Sequence, residues 1–452
     1  MTSVPPLQPA LIPGRLRTTL FLLLITSVFV AAISRQSVAV LVAPIKSAFG
    51  ANDTAIGFYQ GVAFFVPAAI AAFPIGILID RADRLKLINI FMVAICGSLV
   101  GSAFSQGFWQ LCLCRMCAGV AYGGLMTAVY PLVSDLYQLR ARQTAMVMVL
   151  VSLNIGNGAA FYLAGGFMQF AVTHEEYFRV GEYSISPWRV TYVLCAVPIL
   201  VISVLLFTFK LPHEHRDAAR SPLNKSGVPL GSFLKENLLT ICLLFGGLVG
   251  AENSIDLTLS WAESVLGRRF GWSTGHASSL LGLTVSTASL GGLALAATLV
   301  GVLSRRLGGS APAEICRYAL AVSAVVFATL FVMPSGSAFL LAVGLLLMIN
   351  YVSIGMTPNL TLSFPPPQLR GRFNSLYAIV MTVSGAFSPM VVGAMSDALH
   401  SERTGLALSY ECVGTANAAI SAVLFLAFVA RLRRRRALET QGKSLGAGVP
   451  ST

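Results

Sequence analysis

Charged side chains are scarce in this sequence. Asp, Glu, Lys and Arg together make up 11% of the 452 residues, whereas soluble domains carry about 25%. Hydrophobic residues make up 56%, and the mean hydropathy is +0.77. The composition therefore excludes an ordinary water-soluble domain and favours a chain whose solvent is lipid.

The signatures of soluble catalysis are also missing. The sequence has no G-x-x-x-x-G-K-[ST] phosphate-binding loop, no Ser-His-Asp arrangement and no soluble domain that would house one. Its eight cysteines fall mostly inside apolar stretches, as Cys96 and Cys242 do, where a thiol packs as a small hydrophobe. We therefore predict no enzymatic activity, no cofactor, no metal site and no structural disulfide.

Long apolar stretches are abundant instead. A helix of about 20 residues crosses a hydrocarbon core about 30 Å thick, because each residue adds about 1.5 Å. The first stretch is too long for the apolar part of a signal peptide and no small-residue cleavage site follows it, so we expect it to be retained. We predict an all-α membrane protein with twelve spans, at residues 17–43, 54–79, 87–106, 108–134, 143–171, 187–209, 237–262, 276–303, 314–333, 337–361, 372–398 and 409–430.

The few charges are unevenly distributed. The chain has 31 Lys and Arg against 18 Asp and Glu, a net charge of +13. Such a balance can indicate nucleic acid, but basic residues of membrane proteins collect on cytoplasmic loops. Most of them fall on the side of the N-terminus when the twelve spans are laid out. We predict that both termini are cytoplasmic, that the membrane is a bacterial cytoplasmic (inner) membrane, and that nucleic acid is not a partner.

A hydrophilic interval at 210–236 divides the spans six and six, and we predict that it is a cytoplasmic linker. It separates an N-terminal six-helix bundle at 17–209 from a C-terminal six-helix bundle at 237–430. The cytoplasmic tails are 1–16 and the basic segment 431–452.

The two bundles look like diverged copies of one unit, as in many transporter folds. Matching positions lie at the entry to spans two and eight: Phe49, Gly50 and Gly61 in the first copy, and Phe270, Gly271 and Gly282 in the second. The same offset places Arg35 of span one opposite Asp256 of span seven. A cation and an anion therefore occupy equivalent positions of the two bundles.

A polar motif stands between spans two and three. Residues 76–86 read Gly-Ile-Leu-Ile-Asp-Arg-Ala-Asp-Arg-Leu-Lys, which resembles the G-x-L-x-D-R-x-G-R-[RK] signature of the major facilitator superfamily, with Asp83 in place of the second glycine. The resemblance extends from about residue 17 to 430. It implies a fold of two pseudo-symmetric six-helix bundles and a secondary transporter that works by alternating access.

The resemblance also implies a conformational latch on the cytoplasmic side. Glycine on a helix face lets another helix approach closely. An acid at a helix end can face the positive N-terminus of a neighbouring helix, which in the family belongs to span eleven. The alternative is that these charges only set the orientation of the chain in the membrane. That alternative explains the arginines but not the glycine or the acid. The implied latch residues are Gly76, Asp80, Arg81, Arg84 and Asp135.

Two further segments carry the likeness. Residues 111–124 of span four place glycines at four-residue intervals after Arg115, similar to the superfamily's intramembrane arginine motif. Within the superfamily, segment 35–49 resembles the spinster-like transporters. Those transporters usually carry an acid just before the first arginine and another seven residues after the second, where this chain has Ser34 and Tyr122.

Ionisable groups inside a span are costly and mark a pathway. In the superfamily, spans one, four, seven and ten line the central cavity, which brings Arg35 and Arg115 to one wall. Two guanidinium groups suit a carboxylate, phosphate or sulfate on the substrate. The alternative is that each arginine is satisfied by backbone carbonyls or by an acid of the other bundle.

The acids of span seven, Glu252 and Asp256, share one helix face at a spacing of i and i+4. Two carboxylates that close together in a low dielectric do not both ionise readily, so we expect at least one to carry a proton and to couple transport to protons. The alternative is a salt bridge to Arg35 or Arg115 that holds the bundles together. Protonation of the acid would release such a salt bridge, so the same residues can both couple transport to protons and hold the bundles together.

Polar side chains at mid-depth complete the predicted substrate site, although each can instead form an interhelical hydrogen bond. They are Tyr122, Asn154, Asn157, Asn350 and Tyr351. We predict proton-coupled transport of a small organic anion or an anionic amphiphile. The alternatives are efflux of cationic or neutral drugs or metabolites, which the two acids would serve equally, and a receptor or scaffold that does not transport.

Overall fold

The computed structural model describes residues 14–137, 139–180, 183–209, 230–401 and 403–446, and they are almost entirely helical. A two-stranded antiparallel hairpin pairs β1 (Arg179–Val180) with β2 (Tyr183–Ser184). The helices are α1 (Gly14–Gln36), α2 (Val42–Phe49), α3 (Asp53–Gln60), α4 (Val62–Arg81), α5 (Arg84–Ala103), α6 (Phe108–Leu136), α7 (Leu139–Thr173), α8 (Pro187–Thr208), α9 (Leu230–Phe270), α10 (Thr274–Leu307), α11 (Ala311–Phe327), α12 (Gly336–Ser363), α13 (Arg370–Ala398) and α14 (Gly405–Gly446).

The helices form twelve membrane crossings, which confirms the predicted number. Eleven helical ranges of the described chain are long and apolar enough to span a bilayer. One of them, Thr274–Phe327, contains both α10 and α11, which meet at the 3-10 turn Gly308–Ser310, so this range crosses twice. Span one comprises α1, the 3-10 segment Ser37–Leu41 and α2, span two comprises α3 and α4, and spans three to twelve are α5 to α14.

Spans one and two are each interrupted. Pro44 has no N–H to donate to the carbonyl of Val40 and its ring clashes with that carbonyl, and the chain before it is the 3-10 segment Ser37–Leu41. In span two, Gly61 separates α3 from α4. A Cβ at Gly61 would lie 2.2 Å from the carbonyl oxygen of Ala386 in span eleven, so only glycine permits this approach.

Several helix ends differ from the predicted spans by a few residues, and two of the differences affect the predicted linker and tail. Helix α9 begins at Leu230, inside the interval 210–236 that was predicted as linker, and the remainder of that interval lies outside the described residues. Helix α14 continues to Gly446 and so takes up most of the predicted tail 431–452. The predicted N-terminal tail 1–16 lies outside the described residues as far as residue 13.

The spans alternate in direction and therefore share two ends. We name them the Asp53 end and the Arg84 end after the residues at which α3 and α5 begin. The two bundles approach most closely from mid-depth toward the Asp53 end. A Cβ at Gly158 would lie 2.0 Å from the Ser286 hydroxyl oxygen, and a Cβ at Gly282 would lie 2.6 Å from the carbonyl of Gly158.

This crossing of α7 and α10 generates a prediction about stability. Gly158→Ala should lower the thermal unfolding temperature of the purified protein, because the added methyl group overpacks the crossing at a cost of about 1–3 kcal/mol. The matched control is Gly166→Ala on the same helix, where an added Cβ meets nothing within 4 Å. Equal unfolding temperatures for the two variants would contradict the close crossing.

Candidate functional site

The interruption of span one places Arg35 against the other bundle. Its guanidinium pairs with the Asp256 carboxylate of α9 at 2.5 Å, and both side chains are mostly buried. The next residue, Gln36, donates its amide hydrogen to the carbonyl of Leu259 at 2.7 Å. Residues that the internal repeat places at equivalent positions thus form an ion pair between the bundles, the second of the two arrangements considered for these acids.

Arg115 lies beside this pair without an acidic partner. It is buried, donates to the backbone carbonyl of Arg35 at 2.9 Å, and forms no ion pair with any residue that the structure describes. Its Nε has no hydrogen-bond partner in that part of the chain. The guanidinium carbon lies 4.4 Å from the ring centroid of Phe64 and 5.7 Å from that of Tyr59. Ring faces offset part of the cost of a buried cation, but the positive charge is not neutralised.

Aromatic rings also surround Arg35. Its guanidinium carbon lies 5.1 Å from the ring centroid of Phe65 and 5.9 Å from that of Tyr122. Tyr122, a predicted substrate contact, therefore lies against the arginine of span one. The tyrosine stands where spinster-like transporters usually carry an acid, so this position supplies a ring face to Arg35 in place of a carboxylate.

A small cavity of about 20 Å³ lies between the two arginines and Asp256, enough for about one water molecule. Gln60 also lines it, and the amide nitrogen of Gln60 is buried without a partner among the described residues. Ser260 lines it as well, one helical turn beyond Asp256. Neither residue was predicted from the sequence, although Ser260 continues the i, i+4 spacing of the span-seven acids.

Glu252 occupies the same helix face as Asp256, on the side toward the Arg84 end. It is partly buried and forms no hydrogen bond or ion pair with the described residues. Span eleven passes close to these acids, because a Cβ at Gly385 would lie 2.9 Å from an Asp256 carboxylate oxygen. Asn253 and Ser384 hydrogen bond across the same contact at 2.8 Å.

The other predicted polar contacts do not line this cavity. Asn350 bonds to Ser323 of α11 at 3.0 Å, the interhelical alternative, and Asn154 donates to the carbonyl of Leu150 in its own helix at 2.8 Å. Tyr351 is buried. Asn157 is buried with its side-chain oxygen unpartnered among the described residues.

The contacts described for the predicted latch residues stay within the N-terminal bundle. Arg84 pairs with Asp135, which joins spans three and four within the N-terminal bundle rather than across the bundles. A Cβ at Gly76 would meet nothing within 4 Å, so the close approach of another helix expected there is absent. The side chains of Asp80 and Arg81 lie outside the described ones.

A second polar cluster, not predicted from the sequence, joins the bundles at the Asp53 end. Asp53 is buried and receives both terminal nitrogens of Arg268 at 2.7 Å, the Lys46 ammonium at 2.7 Å and the Ser396 hydroxyl at 2.8 Å. Bidentate contacts of this kind are strong and directional. We call this set the Asp53 cluster: Lys46, Asp53, Thr54, Arg268, Ser396 and Asp397.

Asp397 completes the cluster by capping a helix of the other bundle. Its carboxylate accepts from the backbone N–H of Asp53 at 2.9 Å and of Thr54 at 2.8 Å, and from the Thr54 hydroxyl at 2.6 Å. An acid near the C-terminal end of α13 is unfavourable to its own helix dipole, but the positive N-terminus of α3 compensates it. An acid at the C-terminal end of a helix is the sequence feature that could have indicated such a partner.

Comparison with known proteins identifies the family to which this chain belongs. A family model described as the Major Facilitator Superfamily matches residues 24–389. The chain belongs to the Major Facilitator Superfamily. Family and fold together support secondary transport by a multi-pass membrane protein rather than catalysis by an enzyme.

Relatives within the superfamily are distant. An "MFS-type efflux pump" of Mycolicibacterium smegmatis is 23% identical over 387 residues, which cover 82% of each chain. A bacterial homolog of the human lysosomal transporter Spinster, solved inward-facing and unoccupied, has a TM-score of 0.75 at 17% identity, covering 93% of this chain and 96% of that one. The xylose transporter XylE of E. coli, inward open, has a TM-score of 0.65 at 16% identity, covering 89% and 95%. At these identities the structural likeness shows the fold alone.

The Asp53 cluster generates a prediction about closure. Arg268→Gln should open the Asp53 end, because removing one partner of a buried pair costs about 3–5 kcal/mol and each 1.4 kcal/mol or so shifts an equilibrium about tenfold. We expect a cysteine at position 60, in a variant without the native cysteines, to react at least about tenfold faster with an impermeant thiol reagent from that side.

The adjacent arginine provides the control for this experiment. Arg269 donates to the carbonyl of Phe331 within the C-terminal bundle, so Arg269→Gln should leave the reaction rate of the probe unchanged. Equal acceleration by both substitutions, or none by either, would show that the cluster does not hold the end closed.

Proposed function

We propose that this chain is a secondary active transporter that moves a small organic anion or an anionic amphiphile together with protons. The observation that carries the proposal is the environment of Arg115, a buried guanidinium that lines the cavity without a carboxylate partner among the described residues. Arg35 and Asp256 neutralise each other, so the cavity keeps one positive charge. An anionic substrate would supply the missing partner.

Protonation of Asp256 would link proton binding to anion binding. As a carboxylate, Asp256 occupies the guanidinium of Arg35. As a neutral acid it would release Arg35, and the cavity would then offer two guanidinium groups to the anion. Glu252, one turn away on the same face and without a partner in the described chain, would provide a second site for a coupled proton.

The described conformation fits one step of an alternating-access cycle. The Asp53 cluster and the close glycine contacts hold the bundles together at the Asp53 end. The start of α1 and the end of α14 belong to the Arg84 end, where the basic residues are enriched, and we assign this end to the cytoplasm of a bacterial inner membrane. On this assignment the conformation faces inward, as do the spinster homolog and XylE.

In the opposite conformation the latch would close the cytoplasmic end. The open face of Gly76 leaves room for a helix of the other bundle to approach. The latch would comprise Gly76, Asp80, Arg81, Arg84 and Asp135. In the described conformation, Arg84 and Asp135 pair with each other within the N-terminal bundle.

A second candidate is efflux of cationic or neutral solutes. The mycobacterial relative is described as an efflux pump, and the unpaired acid Glu252 would attract a cation. A thermal-shift screen of the purified protein against organic anions, lysolipids, sugars and cationic drugs separates the two proposals, because a ligand of the native state raises its stability. Stabilisation by cations or neutral amphiphiles alone would favour efflux.

The proposal for Arg115 predicts the effect of removing its charge. Arg115→Gln should abolish uptake of the anion that the screen identifies and its stabilising effect, because the unneutralised charge is lost. The matched control is Arg189→Gln, since Arg189 also donates to a backbone carbonyl, that of Ala103 at 2.6 Å, but does not line the cavity. Uptake by Arg115→Gln at the wild-type rate would reject the anion site.

The proposal for the acids predicts a loss of coupling. Asp256→Asn and Glu252→Gln should each reduce accumulation driven by a pH gradient by about tenfold or more, within the range of coupling between linked sites. Exchange of labelled for unlabelled substrate at equal pH should continue, because it needs no net proton movement. If both variants accumulate substrate as the wild type does, the acids do not couple.

A further inference from the structure

Helix α9 carries a further buried acid that the proposed cycle does not use. Glu263 lies toward the Asp53 end and is 5% exposed. It forms no hydrogen bond or ion pair with the residues that the structure describes. An isolated carboxylate in such a place would be very costly, and a buried acid of this kind avoids the cost by holding its proton.

Glu263 shares a helix face with the coupling acids. At 3.6 residues per turn, Glu252, Asp256, Ser260 and Glu263 fall within an arc of about 80° on α9. Asp256 and Glu263 are separated by about 10 Å along the helix axis. The face therefore presents a row of groups able to exchange protons, from mid-depth toward the Asp53 end.

The interval between Asp256 and Glu263 is polar. The cavity reaches Asp256 and the Ser260 hydroxyl and has room for about one water molecule. The unpartnered amide of Gln60 also lines it. Gln36 donates to the carbonyl of Leu259, which in the helix also accepts from the N–H of Glu263. A hydroxyl, an amide and space for a water thus lie beside Asp256, and Ser260 lies between Asp256 and Glu263 along the helix.

We infer that Glu263 is a proton-binding residue that takes protons from the Asp53 side and passes them to Asp256. The inference rests on the proposed proton coupling. In the transfer an O–H bond of Glu263 breaks and one forms on Asp256, with the proton carried by the Ser260 hydroxyl or a cavity water. Glu263 becomes a carboxylate, and Asp256 becomes neutral and releases Arg35.

The charges around Glu263 change when the Asp53 end opens. Arg268 lies five residues farther along α9 and is held by Asp53 in the closed end. The packed segment Ser37–Leu41 contributes no ionisable side chain. Opening would release Arg268 and admit water, and both changes favour ionised Glu263. The other titratable side chains toward this end of the helices packed on α9 and of α2 are Lys46, His276, Tyr351, Asp397, Tyr410 and Glu411.

Infrared spectroscopy of the full-length protein in lipid nanodiscs tests whether Glu263 holds a proton, and the measurement needs no substrate. The wild type minus Glu263→Gln difference spectrum at neutral pH should show the carbonyl stretch of a protonated carboxylic acid. The control is Glu236→Gln, an exposed acid near the opposite end of α9, whose difference spectrum should lack the Glu263 band. Loss of a carboxylate band in Glu263→Gln would overturn the inference.

Transport in proteoliposomes tests the role of that proton. Glu263→Gln should reduce accumulation driven by a pH gradient by about tenfold, within the range of coupling between linked sites, and leave exchange at equal pH unchanged. Glu263→Asp should restore accumulation. Wild-type accumulation by Glu263→Gln, or an equal loss of exchange, would reject the relay. Absence of gradient-driven accumulation in the wild type would instead reject the proposed function, and the infrared result would still decide where the proton resides.

Discussion

The ion pair between Arg35 and Asp256 is the contact around which the site is arranged. Pairing with an acid lowers the cost of burying the Arg35 guanidinium, because an unpaired charge in a low dielectric is far more costly than a paired one. The pair forms where span one loses its regular helix at Ser37–Leu41, and the adjacent Gln36 bonds to the same helix of the other bundle. The position of the cavity, and the exposure of Arg115 to it, follow from this contact.

Charged side chains make different contacts at the two ends of the molecule. At the Asp53 end, acids of each bundle bind groups of the other, with Asp53 on Arg268 and Asp397 on the first N–H groups of α3. At the Arg84 end, the ion pair of Arg84 and Asp135 stays within one bundle. One end is therefore held by polar contacts between the bundles, whereas this pair stabilises only its own bundle.

Periodic features of the sequence predicted the fold, and the internal repeat predicted that Arg35 and Asp256 occupy equivalent positions. Hydropathy indicates which segments lie in lipid, and an internal repeat indicates symmetry between the bundles. Both features can therefore be recognised in a single sequence. The Asp53 cluster joins groups 215 to 344 residues apart in the sequence. Asp53 lies outside the predicted spans, and hydropathy does not show what Asp397, near the end of predicted span eleven, contacts. Asn350 was open to two readings from its depth alone, a substrate contact or an interhelical hydrogen bond, and in the structure its side chain pairs with Ser323 of a neighbouring helix.

The crossing of Gly158 and Gly282 has a mechanical consequence. Helix α7 extends from Leu139 to Thr173, about 50 Å, and Gly158 lies near its middle. Backbone meets backbone there, so a small rotation has no long side chains to unpack. Helix α7 extends about 25 Å on either side of this crossing. If the bundles tilt about it, a separation at one end is accompanied by an approach of similar size at the other.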